Sequence, residues 1–486
     1  MARRKQLGVV NFKGIDRRRK IQSTDPQNLW DAANLDLTRG GELRARDSLE
    51  LVTTLPDNTL GLYTNGGVLR CAVPAGNGIE ALAPVGFRFD AISHASGAIS
   101  LNRYIDIQAT TNWDAGSDGE PLTYLVAELS GGRYEHHYLD GSTITRVALP
   151  FSPGKDVVTL QNKIYAADTH KGTVHFSSTQ FGPRFWNYRD ADANGYADAG
   201  FIDAVNNSKG TTNIQGLTFY NSQLAIFFPD SVQFWQVDED PNNFILLRTL
   251  DGPGTTYFSS VSSVISDLHY FSYGGFHSLQ ATNVLGEQRE GDIGAAIKPF
   301  TDMYEAGGYD VKAFWSPSRS QYLCFFSDGS STRVFCRTIS PLGGVDGWTY
   351  WDLDVPVDNV TELGGRMYIR SGNDVYKFVQ NEVGDDLDFT WNFESGMLDG
   401  NKASMTKQWN SIDFEQEGTI DTVEFRVDTQ DPSKTFVAFH NVEGSTSSLG
   451  RFPICALSNK IGIKCSGSKW IEHSGFILDY LELTGA

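Results

Sequence analysis

GLTFYNSQLAIFFPDSVQFWQVD, from Gly216 to Asp238, alternates apolar and polar residues, breaks at Tyr220-Asn221-Ser222, alternates again and breaks at Pro229-Asp230. Successive side chains on a strand point to opposite faces, so each alternating run predicts a β-strand and each break a turn. The stretch reads as a β-meander. Its order of run, turn at Asn, Gly or Asp, second run, looser turn and third run returns along the chain. VVTLQNKIYAADTHKGTVHFSS starts at Val157, SSVISDLHYFSYGGFHSLQAT at Ser262, NVTELGGRMYIRSGNDVYKFVQ at Asn359, and a fainter LGLYTNGGVLRCAVPAGNGIEAL at Leu60. Two further meanders, LTYLVAELSGGRYEHHYLDGSTITRVAL from Leu122 and VKAFWSPSRSQYLCFFSDGSSTRVFCRT from Val311, keep the rhythm with longer turns.

A three- or four-stranded meander cannot bury both faces alone, and repeated meanders commonly solve this by stacking around an axis. The expected fold is therefore all-β: a β-propeller of about six to seven irregular blades over residues 51–382. A run of β-sandwiches is the rival architecture. Residues 1–50 are expected to form a basic N-terminal arm and entry strands. After the acidic break NEVGDDLDF, the segments TIDTVEFRVDT, KTFVAFHNV, GRFPICAL, KIGIKCSG and SGFILDYLEL predict a small antiparallel β-sandwich over residues 383–486. Sustained helical periodicity is lacking, apart from a short helical segment expected around Ala295 to Glu305.

The 486 residues suffice for more than one domain, and the 12% aromatic content with 49 glycines agrees with a β-rich chain. A net charge of −19 should keep the surface soluble and repel nucleic acid and acidic membranes. The charge is uneven. Arg3, Arg4, Lys5, Lys13, Arg17, Arg18, Arg19 and Lys20 face Asp16 alone within the first twenty residues. Three readings of this arm stand side by side: a docking extension for an acidic partner, a nucleic-acid contact without interleaved aromatics, and a disordered tail. No apolar run is long enough for a signal-peptide core or a membrane span, so a protein made in a cytoplasm is expected. Cys71, Cys324, Cys336, Cys455 and Cys465 lack paired spacing and read as buried free thiols.

DADANGYAD carries the sharpest chemical pattern. Asp190, Asp192, Asn194, the carbonyl of Tyr196 and Asp198 stand at loop positions that suit a hard cation, with Gly195 for the tight turn. Phe201 replaces the bidentate Glu of an EF-hand, although the spacing resembles calcium loops on the blades of integrin-type propellers. Calcium is thus a candidate ligand, and a turn-rich acidic loop that binds nothing is the other reading. His136 and His137 are neighbours on a strand-like YEHHY and should face opposite ways, which prevents chelation of one metal as a simple pair. Asp238-Glu239-Asp240 and Asp385-Asp386 are turn-borne carboxylates of the kind a glycosidase would need in facing pairs. No G-x-S-x-G elbow, Walker loop or H-E-x-x-H occurs, so no catalytic residue and no required cofactor is expected.

Several stretches together resemble the tail nozzle family of short-tailed bacteriophages, also called tail tubular protein B or packaged-DNA stabilisation proteins. NLDLTRGGELRAR (Asn34 to Arg46) resembles the family's opening. FSSTQFGPRFWNY (Phe176 to Tyr188), SVQFWQVDEDPNNFILLRTLDGPGT (Ser231 to Thr255) and GWTYWDLDVPVDNVTELGGRMYIRSGNDVYKF (Gly347 to Phe378) resemble its central segments, and KQWNSIDFEQEGT (Lys407 to Thr419) with GFILDYLEL its close. The resemblance implies a structural virion protein of the tail, assembled in the host bacterial cytoplasm. It implies a homo-hexameric ring below the portal and adaptor, beside fibres or spikes. Packaged DNA would be retained by the ring and leave through it with transient, non-specific contact, and the chain itself would not insert into a membrane. The alternative is a carbohydrate- or receptor-binding propeller, calcium-dependent if DADANGYAD is occupied, with tryptophans such as Trp30, Trp113, Trp186, Trp235, Trp315, Trp348, Trp351 and Trp391 as stacking platforms or as core.

Overall fold

The Gly216 stretch folds into the strands Gly216–Tyr220, Gln223–Phe227 and Ser231–Gln236, and Ile245–Asp251 completes a four-stranded antiparallel sheet in chain order. Its first turn places Asn221 and Ser222 at φ 48° and 61°, the backbone that matches the twist of a tight hairpin. The computed structural model describes residues 4–75, 79–94, 97–98, 104–114, 121–161, 163–168, 170–178, 186, 199–205, 213–252, 254–281, 288–340, 344–427, 435–446 and 452–483. Among these the fold is all-β. The one α-helix, Lys298–Thr301, lies between the short helical turns Ala295–Ile297 and Asp302–Tyr304, where the sequence predicts a helical exception.

The chain divides into two compact units. One comprises Leu51–Gly291 and Val357–Lys377 and is the propeller. Four of its sheets have four strands, each built on an antiparallel three-stranded meander that starts at Pro153, Gly216, Ser262 or Asn359. The Leu60 and Leu122 stretches join into one eight-stranded sheet, in which Phe87–His94 runs parallel to both Val68–Pro74 and Thr143–Arg146. That parallel pairing is why the Leu60 copy looks faint.

Period-two alternation gives each central strand two neighbours. Leu224 and Ile226 pack toward Tyr165 and Ala167 of the preceding sheet, whereas Ala225 and Phe227 pack toward Leu268 and Tyr270 of the following one. Ile164 and Ala166, alternating with Tyr165, turn instead to Tyr124 and Val126. Leu125 and Ala127 then meet Ala72 and Ile92, and Leu69, Cys71 and Val73 meet Val375. Each fully buried Leu, Ile or Phe contributes about 1.5–3 kcal/mol relative to exposure. The final meander takes its fourth strand from early in the chain, Ser48–Thr54, with Leu55 N–H donating to the Asn373 carbonyl at 2.7 Å. Arg370 reinforces this closure by donating to the carbonyls of Gly61 at 2.8 Å and Thr59 at 2.7 Å.

The second unit comprises Met1–Glu50, Asp292–Pro356 and Phe378–Ala486. It holds the expected antiparallel sandwich, built on the twenty-residue strand Lys407–Arg426. The first half of that strand pairs with Ile471–Glu482 and Phe452–Ser458, the second half with Gly462–Lys469 and Thr435–Glu443. It changes partners at Gly418, whose φ is 87° and where a Cβ would lie 2.1 Å from the Trp470 carbonyl oxygen. Only glycine fits there.

The units divide at Glu50, as expected, but the later break falls at Lys377 instead of residue 382, and Asp292–Pro356 interrupts the propeller's span. The Val311 meander forms as predicted, through Asp310–Ser316, Gln321–Ser327, Thr332–Ile339 and Asp346–Leu353, but belongs to the sandwich unit. Polar side chains from residues 34–46 hold it there. Asp36 Oδ1 accepts from Gln321 Nε2 and Trp351 Nε1, both at 3.1 Å. Asn34 Oδ1 accepts from the Asp352 backbone at 2.8 Å and from Arg46 Nε at 3.1 Å, and Arg46 lies 3.7 Å over the Phe389 ring. The thiols also depart in one case. Cys71, Cys324, Cys336 and Cys465 are buried, but Cys455 is exposed on an edge-strand bulge at φ 54°, between the pairs Trp409↔Ala456 and Ser411↔Pro453.

His473 is fully buried among Phe12, Phe393, Phe414 and Phe476, with ring centroids 5.0 to 6.3 Å away, and neither ring nitrogen has a hydrogen-bond partner. Burial lowers its pKa to about 3. Between that value and the ordinary imidazole range the unfolded chain binds one proton more than the folded chain, so stability falls as pH falls through this window. His473→Phe should stabilise the sandwich by about 1 kcal/mol at pH 7. Its advantage should grow by about 2 kcal/mol at pH 5. Urea unfolding of both chains at the two pH values measures this, and an offset independent of pH would refute it.

Candidate functional site

The arm is where the structure redistributes the charge most. Arg4–Val10 is a strand antiparallel to Ile471–Glu482, in register from Arg4↔Leu481 to Val10↔Gly475. Arg4 pairs with Asp479, and Lys5 Nζ donates to Glu482 Oε1 at 2.7 Å. Lys402 takes the other Glu482 oxygen at 3.0 Å. Arg18 holds Asp16 through Nε at 2.9 Å and Nη2 at 2.7 Å, and these bonds lower the Asp16 pKa. Lys13, Arg19 and Lys20 are exposed and form no ion pair among the described residues. Arg3 lies outside the described residues.

Arg17 is different. Its guanidinium sits between Trp30 and Phe300, 4.4 Å from each ring centroid, and its Nε donates to the Trp30 carbonyl at 2.6 Å. Burial lowers its pKa from the ordinary arginine value. Beside it, two carboxylates distant in sequence face each other. The strands Leu29–Ala33 and Asp386–Ser395 run antiparallel with Asp31 directly opposite Glu394. Like charges in that position repel unless they are compensated. Glu394 receives Arg426 Nη1 at 2.5 Å, and Asp31 receives the Tyr350 hydroxyl at 3.0 Å. Burial nevertheless raises the pKa of both carboxyls. The cluster fastens the Arg17 loop, two strands of the sheet and the end of Lys407–Arg426 by charge. Nothing in local spacing announces it, because strand pairing alone brings Asp31 to Glu394.

The other sequence candidates occupy separate places. Asp190, Asp192, Asn194, Tyr196 and Asp198 lie outside the described residues, so the calcium reading gains no geometry. His136 and His137 face opposite sides of Arg133–Asp140, as alternation predicts. His136 Nε2 lies 2.9 Å from the Gly154 carbonyl and must donate, leaving Nδ1 to accept from Tyr124 OH at 3.1 Å. Burial lowers the His136 pKa to about 4, and His137 Nε2 meets Tyr104 OH at 3.3 Å. The acidic pairs stabilise turns: Asp238 accepts from the Asp240 N–H at 2.9 Å, Asp240 from the Asn242 N–H at 3.0 Å and Asp385 from the Glu382 N–H at 2.8 Å. Trp186, Trp348, Trp351 and Trp391 are core, whereas Trp30 is half-buried under Arg17.

No family model matches the sequence, and no curated protein matches it. Among solved structures the chain is similar to BamB from Moraxella catarrhalis, at 13% identity and a TM-score of 0.37, over 69% of this chain and 99% of that one. It is similar to the AfRom2 CNH domain at 11% identity and 0.34, over 60% and 90%. Hsv2 from Kluyveromyces lactis follows at 11% and 0.29, over 52% and 74%. The propeller assignment rests on this chain's own strand order.

The charge cluster yields a thermodynamic cycle. Arg426→Met leaves Glu394 buried opposite Asp31 without its cation and should cost about 3 kcal/mol. Adding Glu394→Gln should recover most of that loss, read from urea midpoints of the two single variants and the double variant. Additive losses would show that Arg426 acts through packing alone.

Proposed function

We propose that this chain is a structural subunit of the tail nozzle of a short-tailed bacteriophage, non-enzymatic. It would join further copies in a hexameric ring below the portal and adaptor that holds packaged DNA and gives it passage. The observation that carries this reading is where the family-like residues fall. Asn34, Asp36 and Arg46 of the opening stretch bond directly to Trp351 and Asp352 of the Gly347 to Phe378 stretch. Two segments that carry the resemblance therefore form one buried seam, and the likeness involves residues that determine the fold. The rest of the molecule suits such a role. Strands closed into meanders with both faces buried make a stiff building block, and a net charge of −19 lets phosphate slide past without sticking.

The purified chain should bind its phage's portal–adaptor complex as a ring of six copies, visible by negative-stain electron microscopy. A chain that ignores the portal yet binds a glycan array in a calcium-dependent way would overturn the nozzle reading and favour the receptor-binding propeller.

A further inference from the structure

We infer that Arg17, Arg19 and Lys20 form a docking surface for acidic side chains on a second copy of this chain, so that copies join head to tail. The inference rests on the ring reading and names its contact.

Three of the arm's eight cations are committed within the chain, as Arg4, Lys5 and Arg18 have carboxylate partners. Arg17 stands in the field of Asp31 and Glu394 but keeps donors to spare. Its Nε is bound to Trp30, but its two terminal nitrogens meet no acceptor among the described residues. A guanidinium already clamped between two rings loses little freedom on meeting a carboxylate, which is how arginine anchors an interface. Arg19 and Lys20 are exposed without ion pairs among the described residues, and chain connectivity keeps the Cα atoms of all three within about 10 Å.

An acidic chain of net charge −19 offers such a surface its own counterpart. The best fit is the row formed by Glu417, Glu472 and Glu42. Glu417 stands directly opposite Glu472 on adjacent strands, with Arg44 on the other flank of Glu472. Glu42 accepts from Ser474 Oγ at 3.3 Å. Like charges in register are destabilising and gain from incoming cations. Burial and the neighbouring Glu42 carboxyl push the Glu472 pKa up. The cationic and anionic surfaces belong to the same compact unit and share no residue. A contact between two different patches is heterologous, and it closes into a ring when its rotation allows. Duplex phosphate is the competing ligand for the cations, but three cations neutralise few phosphates and a chain of net charge −19 repels a polyanion.

Charge reversal tests both halves. R19E/K20E makes the cationic surface acidic, and E417K/E472K makes the acidic row basic; circular dichroism checks that each variant folds. Association is read by zero-length carbodiimide cross-linking of lysine to carboxylate, and by sedimentation. Each variant alone should lose interchain cross-links at least ten-fold relative to the native chain. A one-to-one mixture should restore them, because every contact then pairs opposite charges again. Variants that cross-link like the native chain, a mixture that does not recover, or a native chain that does not cross-link would overturn the contact. So would duplex DNA binding lost in R19E/K20E without any interchain cross-link. A portal-bound ring unaffected by either variant leaves the nozzle reading intact and removes this contact. Charge-swap rescue in a chain that never joins the portal does the reverse.

Discussion

A strand with two apolar faces cannot be the outermost layer of anything, and the propeller unit is built from such strands. Gln223–Phe227 has Leu224, Ala225, Ile226 and Phe227 all fully buried, divided between the sheets before and after it. Lys163–Asp168 makes the same division through Ile164 and Ala166 on one side and Tyr165 and Ala167 on the other. Each sheet satisfies one neighbour and creates the need for another. A linear stack would leave large exposed apolar faces at both ends. Bringing Ser48–Thr54 to the last meander, with Arg370 bonded across to Thr59 and Gly61, is the covalent and polar consequence of that need.

The sandwich unit is organised by a different constraint, the burial of polar groups that must all find partners. Asp36 is almost wholly buried and takes two side-chain donors, while the carbonyl and carboxamide groups around Arg46 receive its guanidinium. Removing one member would strand another in low dielectric, which makes the seam an all-or-none structure. This explains why the Val311 meander, which has a blade's rhythm, is not assigned to the propeller unit. Its strand pattern is generic. The glutamine and tryptophan that meet Asp36 are specific.

That contrast measures how much could be read from the chain. Alternation and turn residues identify the meanders at Val157, Gly216, Ser262, Val311 and Asn359, because local backbone chemistry specifies strands and hairpins. They leave open which sheet packs on which, because that depends on pairs such as Asp36 with Trp351, 315 residues apart by the hydrogen bond between them. Asp31 and Glu394 were invisible for the same reason. Cys455 escaped because a bulge turns one residue of an otherwise buried-looking strand outward. The opposite facing of His136 and His137, by contrast, follows from period two alone.

Charge is the property for which summation along the sequence misleads most. The first twenty residues look like a free cationic arm, but a strand pairing with Ile471–Glu482 brings Arg4 and Lys5 against Asp479 and Glu482. The same pairing neutralises two acids of the closing stretch, so the arm and the acidic remainder are partly one electrostatic system. What remains of the described arm without a direct carboxylate contact is local, namely Arg19, Lys20 and Lys13, with Arg17 sharing the field of Asp31 and Glu394 but keeping spare donors. Such an arrangement disfavours wrapping by nucleic acid, which rewards many contiguous cations. It favours a few directed contacts with carboxylates, where a pre-held guanidinium has its largest advantage. In the ring proposed above, cations consumed at the joints between copies would leave an acidic interior toward DNA.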